Sequence, residues 1–410
     1  MKTNLYHIYP TMGCNLDCQH CFLYSEVRKN KEIMTVEQFK HTIDAMAENF
    51  RNDPVATMGD VTIIGGEPTT VPPAFYEEVI PYVREKFDSV CNEQSSKQYI
   101  LSICTNFVNT KALKKYAKLF DMVSTSYEYD RFDAQLITSY SSKKSVWMRN
   151  LEDWIEEGLP LGISVSLTQE TAKNIVACLD MLYDKGVRYF QFNYAHPDGE
   201  LIKGMTTDEE YQNYTQIRNS LITDLSVQYK VAPKDGQTVW SGYEVESKAM
   251  RDVVDWWMSK MREGKNDIEI YPISSHAYVL SGQGEDDGFM CPSASAVCVR
   301  TDGEVTGCTL ESGQKDMLSY GNIFEENLDD IMMSQERVNH LSSLNTPAMT
   351  CYSCEYFHMC KGNCKFRLNA WDESLETECQ GLRGYLDYLK ANLDDYFALY
   401  SKQKNKVRNS

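Results

Sequence analysis

The chain has 410 residues and is 42% hydrophobic, 11% aromatic and 24% charged, a globular composition that excludes disorder and a coiled coil and predicts two or three domains. Lysine plus arginine number 41 against 59 aspartate plus glutamate, and the resulting net charge of −18 repels a phosphate backbone, so nucleic acid is not expected as a partner. No run of about 18 apolar residues occurs and the opening MKTNLYHIYPTMGCNLDC lacks the plan of a signal peptide, so a cytoplasmic protein without a membrane partner is expected.

From residue 5 to about 200 the chain reads strand, helix, strand, helix. Apolar or β-rich runs lie at 5–12, 61–66, 99–105, 121–127, 161–168 and 187–194. Between the first two, Phe39, Ile43, Met46 and Phe50 recur at helical spacing after the N-cap candidate Thr35, predicting a helix over 35–50. Further helices are expected over 74–87, where Pro81 argues against a straight one, and over 112–120, 146–158 and 171–186. Six strands alternating with helices predict a parallel sheet, either a partial barrel or an open doubly wound sheet, with function at the C-terminal strand ends.

Residues 200–290 are less regular, with helices expected near 209–225 and 246–264, a polar stretch over 231–244 and an acidic loop over 281–288. Trp240, Tyr243, Trp256 and Trp257 there suit either helix-core packing, the commoner cause, or an aromatic groove. From Cys291 onward short strands and turns alternate with cysteines. A closing helix over 381–402 and a frayed basic end follow.

The fourteen cysteines sort into three groups. A large chain without an export signal is not expected to carry a disulfide framework. Cys91, Cys104 and Cys178, alone in apolar surroundings, read as small buried hydrophobes. Cys14-x3-Cys18-x2-Cys21 sits just past the first strand, and three thiolates can hold three irons of a [4Fe–4S] cluster with the fourth left open. A structural zinc needs four protein ligands, usually in two pairs; His20 as the fourth would lie strained between two of the cysteines, so the spacing favours iron–sulfur. Cys291, Cys298, Cys308, Cys351, Cys354, Cys360, Cys364 and Cys379 form the late group, and eight thiolates suit two fully ligated clusters, with two structural zincs as the alternative.

The run CNLDCQHCF (14–22) resembles the CxxxCxxC-aromatic signature of the radical S-adenosylmethionine (SAM) superfamily, with Phe22 as the aromatic residue. Gly65-Gly66-Glu67-Pro68, at the end of the second strand, resembles that family's GGEP motif; taken singly it reads equally well as a turn. The late cysteines, together with 320–332 (YGNIFEENLDDIM) and 354–364 (CEYFHMCKGNC), resemble the SPASM extension of the same enzymes. The resemblance implies a partial (β/α)6 TIM-like barrel as radical SAM core (1–225), a bridging or substrate-facing region (226–290), a SPASM domain binding two auxiliary clusters (291–385), and a C-terminal helix and tail (386–410).

It further implies three [4Fe–4S] clusters and SAM as cofactors. Cys14, Cys18 and Cys21 would hold the first cluster, whose open iron takes the amino and carboxylate groups of SAM, with the Gly65-Gly66-Glu67 stretch at the amino end. One electron then splits SAM to methionine and a 5′-deoxyadenosyl radical that abstracts a substrate hydrogen. By family analogy Cys291, Cys298, Cys308 and Cys364 hold one auxiliary cluster, and Cys351, Cys354, Cys360 and Cys379 the other. Fully ligated clusters accept an electron more readily than a substrate, which predicts an oxidative outcome. Cys104-Thr105-Asn106 resembles the family's TNG turn with Phe107 in place of glycine. Ser126-Tyr127-Glu128 stands where relatives carry Ser-x-Asp, making Ser126 a ribose contact or an ordinary strand-end serine. Tyr194 and His196 border adenine or substrate, or are structural.

Across most of its length the chain resembles anaerobic sulfatase-maturating enzymes, which oxidise a Cys or Ser side chain to formylglycine, and also ribosomal-peptide maturases. The family's Asp base after the cysteine equivalent to Cys308 is here Thr309; Tyr127 and Glu311 are the candidates to replace it. Only thirteen residues precede Cys14, too few for a leader-binding domain, so leader recognition is expected from a separate protein or from 200–290. The expected function is oxidative modification of a peptide or protein side chain, with a flavodoxin- or ferredoxin-type electron donor. The alternatives are a radical SAM dehydrogenase or epimerase of a small metabolite and, more distantly, a non-enzymatic metal or electron-carrier protein.

Overall fold

The computed structural model describes residues 2–129, 144–195, 199–205, 207–210, 212, 242–282, 294–313, 317–344, 349–360, 364 and 382–407. The six expected strands are β1 (Lys2–Ile8), β2 (Ala56–Ile63), β3 (Gln98–Thr105), β4 (Met122–Tyr127), β5 (Gly162–Leu167) and β6 (Tyr189–Tyr194). They lie side by side in chain order and every neighbouring pair is parallel, forming a partial barrel. Beyond β6 a three-residue strand, β7 (Glu269–Tyr271), extends the sheet. At the opposite edge β8 (Ala296–Val299) pairs parallel to β1 and antiparallel to β9 (Val305–Thr306), so the late cysteine region shares the sheet of the core.

Period-2 alternation assigns the two faces. Val61, Ile63, Leu101, Ile103, Val123 and Ile163 are fully buried toward the helices. The alternate positions, among them Asp60, Thr62, Ser124, Ser126, Ser164 and Ser166, are half-buried and line the inside of the barrel. A parallel sheet covered on both faces would carry continuous apolar runs; the hydroxyls here mark an inner wall that is polar.

The helices follow from the same pattern. In α1 (Val36–Asn52) Phe39, Ile43, Met46 and Phe50 are buried as expected. Thr35 and Gln38 form a reciprocal capping box at 3.1 and 2.9 Å, worth about 1 kcal/mol. In α2 (Pro73–Glu93) the helix runs through Pro81 because that residue faces solvent, where water takes up the carbonyl left without its N–H partner. The expected 112–120 helix is two short turns, Lys111–Lys114 and Ala117–Leu119. After α3 (Lys144–Glu156), the helix expected over 171–186 breaks at Asn174, and α4 (Ile175–Asp184) is its second part.

The helix expected near 246–264 is α5 (Tyr243–Arg262), whose Tyr243, Trp256 and Trp257 are buried. Trp257 stacks on Tyr396 at 4.5 Å and Trp256 meets Phe190 at 5.7 Å, so these aromatics are core rather than groove. The closing helix divides at Asn392 into α6 (Leu382–Ala391) and α7 (Leu393–Val407), and the end expected to fray is helical through Val407. His196, Trp240, Cys291, Cys379, most of 209–225 and most of 281–288 lie outside the described residues. Among the described residues no two cysteines are joined in a disulfide, and of the three expected to be buried only Cys178 is; Cys91 and Cys104 are half-buried. Among the described residues no helix is long and apolar enough to cross a membrane.

The first strands are pinned at their base by Asp53. Burial would raise its carboxyl, but the Val55 and Ala56 N–H groups with the Lys2 and Asn4 side chains prevail and hold it far below the usual carboxylate range. A depressed carboxyl contributes stability above its unfolded pKa and loses it as pH falls. With solvent screening, Asp53→Ala is expected to cost about 1–2 kcal/mol at neutral pH. In paired urea melts that difference should narrow below about pH 4; a difference independent of pH would contradict the assignment.

Candidate functional site

The chain leaves β1 at Ile8 and wraps across the C-terminal mouth of the barrel before entering α1. Cys14, Cys18 and Cys21 all lie on this loop, half-buried. Two glycines let β2 pass beneath it: a Cβ on Gly66 would sit 2.2 Å from the Met12 carbonyl oxygen, and one on Gly65 2.4 Å from that of Thr11. Their neighbours bond to the loop, Gly66 N–H to Thr11 O at 3.1 Å and Glu67 N–H to Gly13 O at 2.8 Å. The Gly-Gly pair is therefore required by close approach of two backbones at the cysteine loop, a stronger reason than turn formation.

Glu67 is 1% exposed and its carboxylate is fully engaged. Oε1 accepts from Thr69 N (2.9 Å), Thr69 Oγ1 (2.6 Å) and Thr105 Oγ1 (2.7 Å), and Oε2 accepts from Asn106 N (2.6 Å). The side chain thus clasps the tip of β2 to the tip of β3, while Pro68 opens the turn that follows. Asn106 Nδ2 reaches on to Asn15 Oδ1 in the cysteine loop at 2.7 Å. Phe107, in the place of the glycine of a TNG turn, adopts φ 62°, the left-handed conformation a glycine would take. Burial of its ring against Trp154, centroids 5.1 Å apart, offsets the strain.

The inner wall faces the loop from the other side. His20 Nε2 lies 3.2 Å from Glu128 Oε1, the same oxygen that accepts from Ser166 Oγ at 2.9 Å. Glu128 is 1% exposed, so the imidazole between two of the cysteines turns toward a buried carboxylate at the ends of β4 and β5. Ser126 is half-buried on the same wall. Tyr127 points the opposite way, into the core, with its ring 5.5 Å from Trp147 and its phenol pushed up by burial and by Cys178. Tyr194 at the end of β6 is half-buried. The His20–Glu128–Ser166 group was not foreseen, because only the register of β4 with β5 brings it together.

The described late cysteines are carried by several elements. Cys298 is fully buried on β8, its sulfur 3.7 Å from His7 Nδ1. It packs in one apolar cluster with Tyr9, Met12, Leu23, Tyr24 and Val27, against which Cys21, Phe22 and Ile64 also lie. Cys308 ends the hairpin, and the following turn rests on the cysteine loop through the bond from Tyr24 N–H to Gly313 O at 3.3 Å. Glu311 in that turn is buried 3.5 Å from His340 Nε2, and His340 Nδ1 is 2.5 Å from the Tyr320 hydroxyl. Cys351, Cys354 and Cys360 are half-buried around a short helical segment, with Cys354 N–H bonded to Cys351 O at 3.0 Å. Tyr356 and Glu355 beside them bond Asp387 and Lys390 of α6.

Thiols in these groupings are a soft donor set that suits iron–sulfur ligation. Burial pushes the Cys14 and Cys298 thiols up to about 12 and also raises Cys21, where the Arg28 charge opposes it. Ligation therefore has protons to displace. Among the described residues no three His, Cys, Asp or Glu side chains are gathered closely enough to hold one metal ion.

Comparison with known proteins bears on this arrangement. Residues 8–182 match the radical SAM superfamily and residues 291–365 match SPASM, an iron–sulfur cluster-binding domain. The chain is 21% identical to a cysteine-type anaerobic sulfatase-maturating enzyme of Clostridium perfringens over 92% of its length and 93% of the relative's. It is also 21% identical to an Fe-coproporphyrin III synthase of Methanosarcina barkeri over 88% and 82%. Its fold resembles anSMEcpe with bound AdoMet and Cp18Cys peptide, at TM-score 0.69, 18% identity and coverage of 98% and 99%. It resembles Streptococcus suis SuiB bound to precursor peptide SuiA at TM-score 0.55, 14% identity and coverage of 91% and 75%. With the cysteine loop at the mouth of a partial barrel and a cysteine-bearing hairpin completing the same sheet, the chain belongs to the radical SAM superfamily and carries a SPASM domain.

Proposed function

We propose that this protein oxidatively modifies a peptide or protein side chain, using SAM and three [4Fe–4S] clusters. The observation that carries the reading is the apolar cluster shared by Cys21 and Cys298, which packs the SAM-cluster loop directly against the auxiliary-cluster hairpin. Such packing supports removal of an electron from a substrate held at the barrel mouth. Two peptide-bound structures of similar fold, anSMEcpe with Cp18Cys peptide and SuiB with SuiA, support a peptide as substrate.

Cys14, Cys18 and Cys21 hold the first cluster, and the late cysteines hold the other two in the interleaved pairing the family resemblance implies. When bound, SAM and the first cluster supply the hydrogen-abstracting radical. The chain itself positions and shields: the backbone at Gly65 and Gly66 offers the close approach, and Glu67 fixes the strand tips. Ser126, with Glu128 and Ser166, presents polar groups toward the sugar of SAM, and Phe22, Met12 and Leu23 exclude water near Cys21. Residues 1–225 form the radical core, 226–290 face the substrate, 291–385 carry the auxiliary clusters and 386–410 close the fold. A cytoplasmic setting, a flavodoxin- or ferredoxin-type donor and a separate leader-binding protein complete the proposal.

A second reading, a radical SAM enzyme of a small metabolite, draws support from the relative named Fe-coproporphyrin III synthase, equally similar in sequence. Two measurements test the proposal. Anoxically reconstituted protein with SAM and dithionite is expected to yield 5′-deoxyadenosine, and co-expressed candidate peptides are expected to lose hydrogen by mass spectrometry. Unmodified peptides alongside turnover of a small metabolite would transfer the assignment to the second reading.

A further inference from the structure

Arg28 is 5% exposed, yet the sequence around it, SEVRKNK, is charged and reads as surface. Its side chain turns back into the cysteine loop. Nε donates to Leu23 O at 3.2 Å and Nη1 to Leu16 O at 3.1 Å, carbonyls on either side of Cys18 and Cys21. Nη2 lies 2.8 Å from Asp17 Oδ1, inside the cysteine spacing, and 3.9 Å from Glu200. Its own carbonyl accepts from Cys14 N–H at 3.2 Å. One residue therefore contacts the loop at 14, 16, 17 and 23.

Glu200 ties this hub to the far side of the barrel. Its N–H donates to Cys21 O at 3.0 Å and its carboxylate accepts from Ser25 N–H. The segment can lie this close because residue 199 is glycine: a Cβ there would sit 2.4 Å from Cys21 O.

We infer that Arg28 is a positioning residue whose planar fork, braced by Glu200, gives the loop its shape before any metal arrives. Its catalytic meaning rests on the radical SAM reading above, but its action on the loop does not. A guanidinium spans two carbonyls and a carboxylate in fixed geometry, which a lysine cannot do. Without the fork, Leu16 O and Leu23 O lose buried charged donors and the thiols are free to spread.

The test uses the full-length chain, metal-free and reduced, under brief alkylation with iodoacetamide and read cysteine by cysteine by mass spectrometry. Losing buried charge-assisted bonds should raise local opening by about tenfold or more, so in Arg28→Gln the labelling of Cys14, Cys18 and Cys21 should accelerate by that factor. Cys178, in the core behind β4, should label as in the wild type. Arg28→Lys should open the loop as well, since it keeps the charge but not the fork. After anoxic reconstitution, Arg28→Gln should lose the change that SAM causes in the electron paramagnetic resonance spectrum of the reduced first cluster. The inference is overturned if Arg28→Gln labels like the wild type, if acceleration spreads equally to Cys178, or if Arg28→Lys is fully protected. A wild-type chain that took up no iron at these cysteines would instead sink the proposed function and leave the labelling result standing.

Discussion

Cys14→Ala is expected to abolish SAM cleavage and to leave about eight irons per chain in place of about twelve. Cys14 is the first of three thiols on the loop, and its neighbours already fix its place: its N–H bonds Arg28 O, and its sulfur accepts from Leu16 N–H at 3.4 Å. Alanine leaves two thiols, too few to retain a cube that must also keep one iron open. The late cysteines sit on other elements and should load independently. Iron per chain, with 5′-deoxyadenosine by chromatography, reads both effects. Retained cleavage in Cys14→Ala would falsify the assignment of the first cluster. A fall to no iron at all would show instead that the three groups load as a unit.

Glu67→Ala is expected to be the most damaging single change to stability near the site. Four donors converge on this buried carboxylate, and truncation orphans Thr69 N–H, Asn106 N–H and two threonine hydroxyls at once. Stranding buried partners of a charged group costs about 3–5 kcal/mol, which lowers the melting temperature by roughly 10 °C. Glu67→Gln keeps the shape but faces N–H donors with an NH2 group, and should lose about half as much. Calorimetric melts of the metal-free chain separate this from any cofactor effect. If Glu67→Ala melts within about 2 °C of the wild type, corresponding to under about 1 kcal/mol, the clasp is not holding the strand tips.

Much of the core could be read from local pattern. The six parallel strands, the capped α1 and the cysteine loop all announce themselves through period, cap and spacing, because each depends on residues close in sequence. The misses share the opposite cause. β7 has three residues and gains its place only by pairing with β6. The attachment of β8 to β1 joins His7 and Cys298, 291 positions apart. Arg28, His20 with Glu128, and Glu311 with His340 are charged or polar groups that a sequence presents as surface. Their burial is decided by partners on other elements. Pro81 misled in the other direction, since its cost depends on which side of α2 meets water.

Tyr127 and Glu311 illustrate the same limit at the site. Both are acid–base types near the right strand ends, but the alternation of β4 sends Tyr127 toward Trp147, and Glu311 faces His340, whose other ring nitrogen meets the Tyr320 hydroxyl. Cys104, by contrast, lies on the half-exposed register of β3 that the apolar surroundings in sequence concealed.

The pairing of β8 with β1 has a consequence during synthesis. The ribosome releases β1 well before β8, and the outer rim of backbone N–H and C=O groups on β1 waits for nearly three hundred further residues before its partner emerges. Until then that rim is open to pairing with another nascent chain, so yield in a recombinant host should depend on translation speed and chaperone supply.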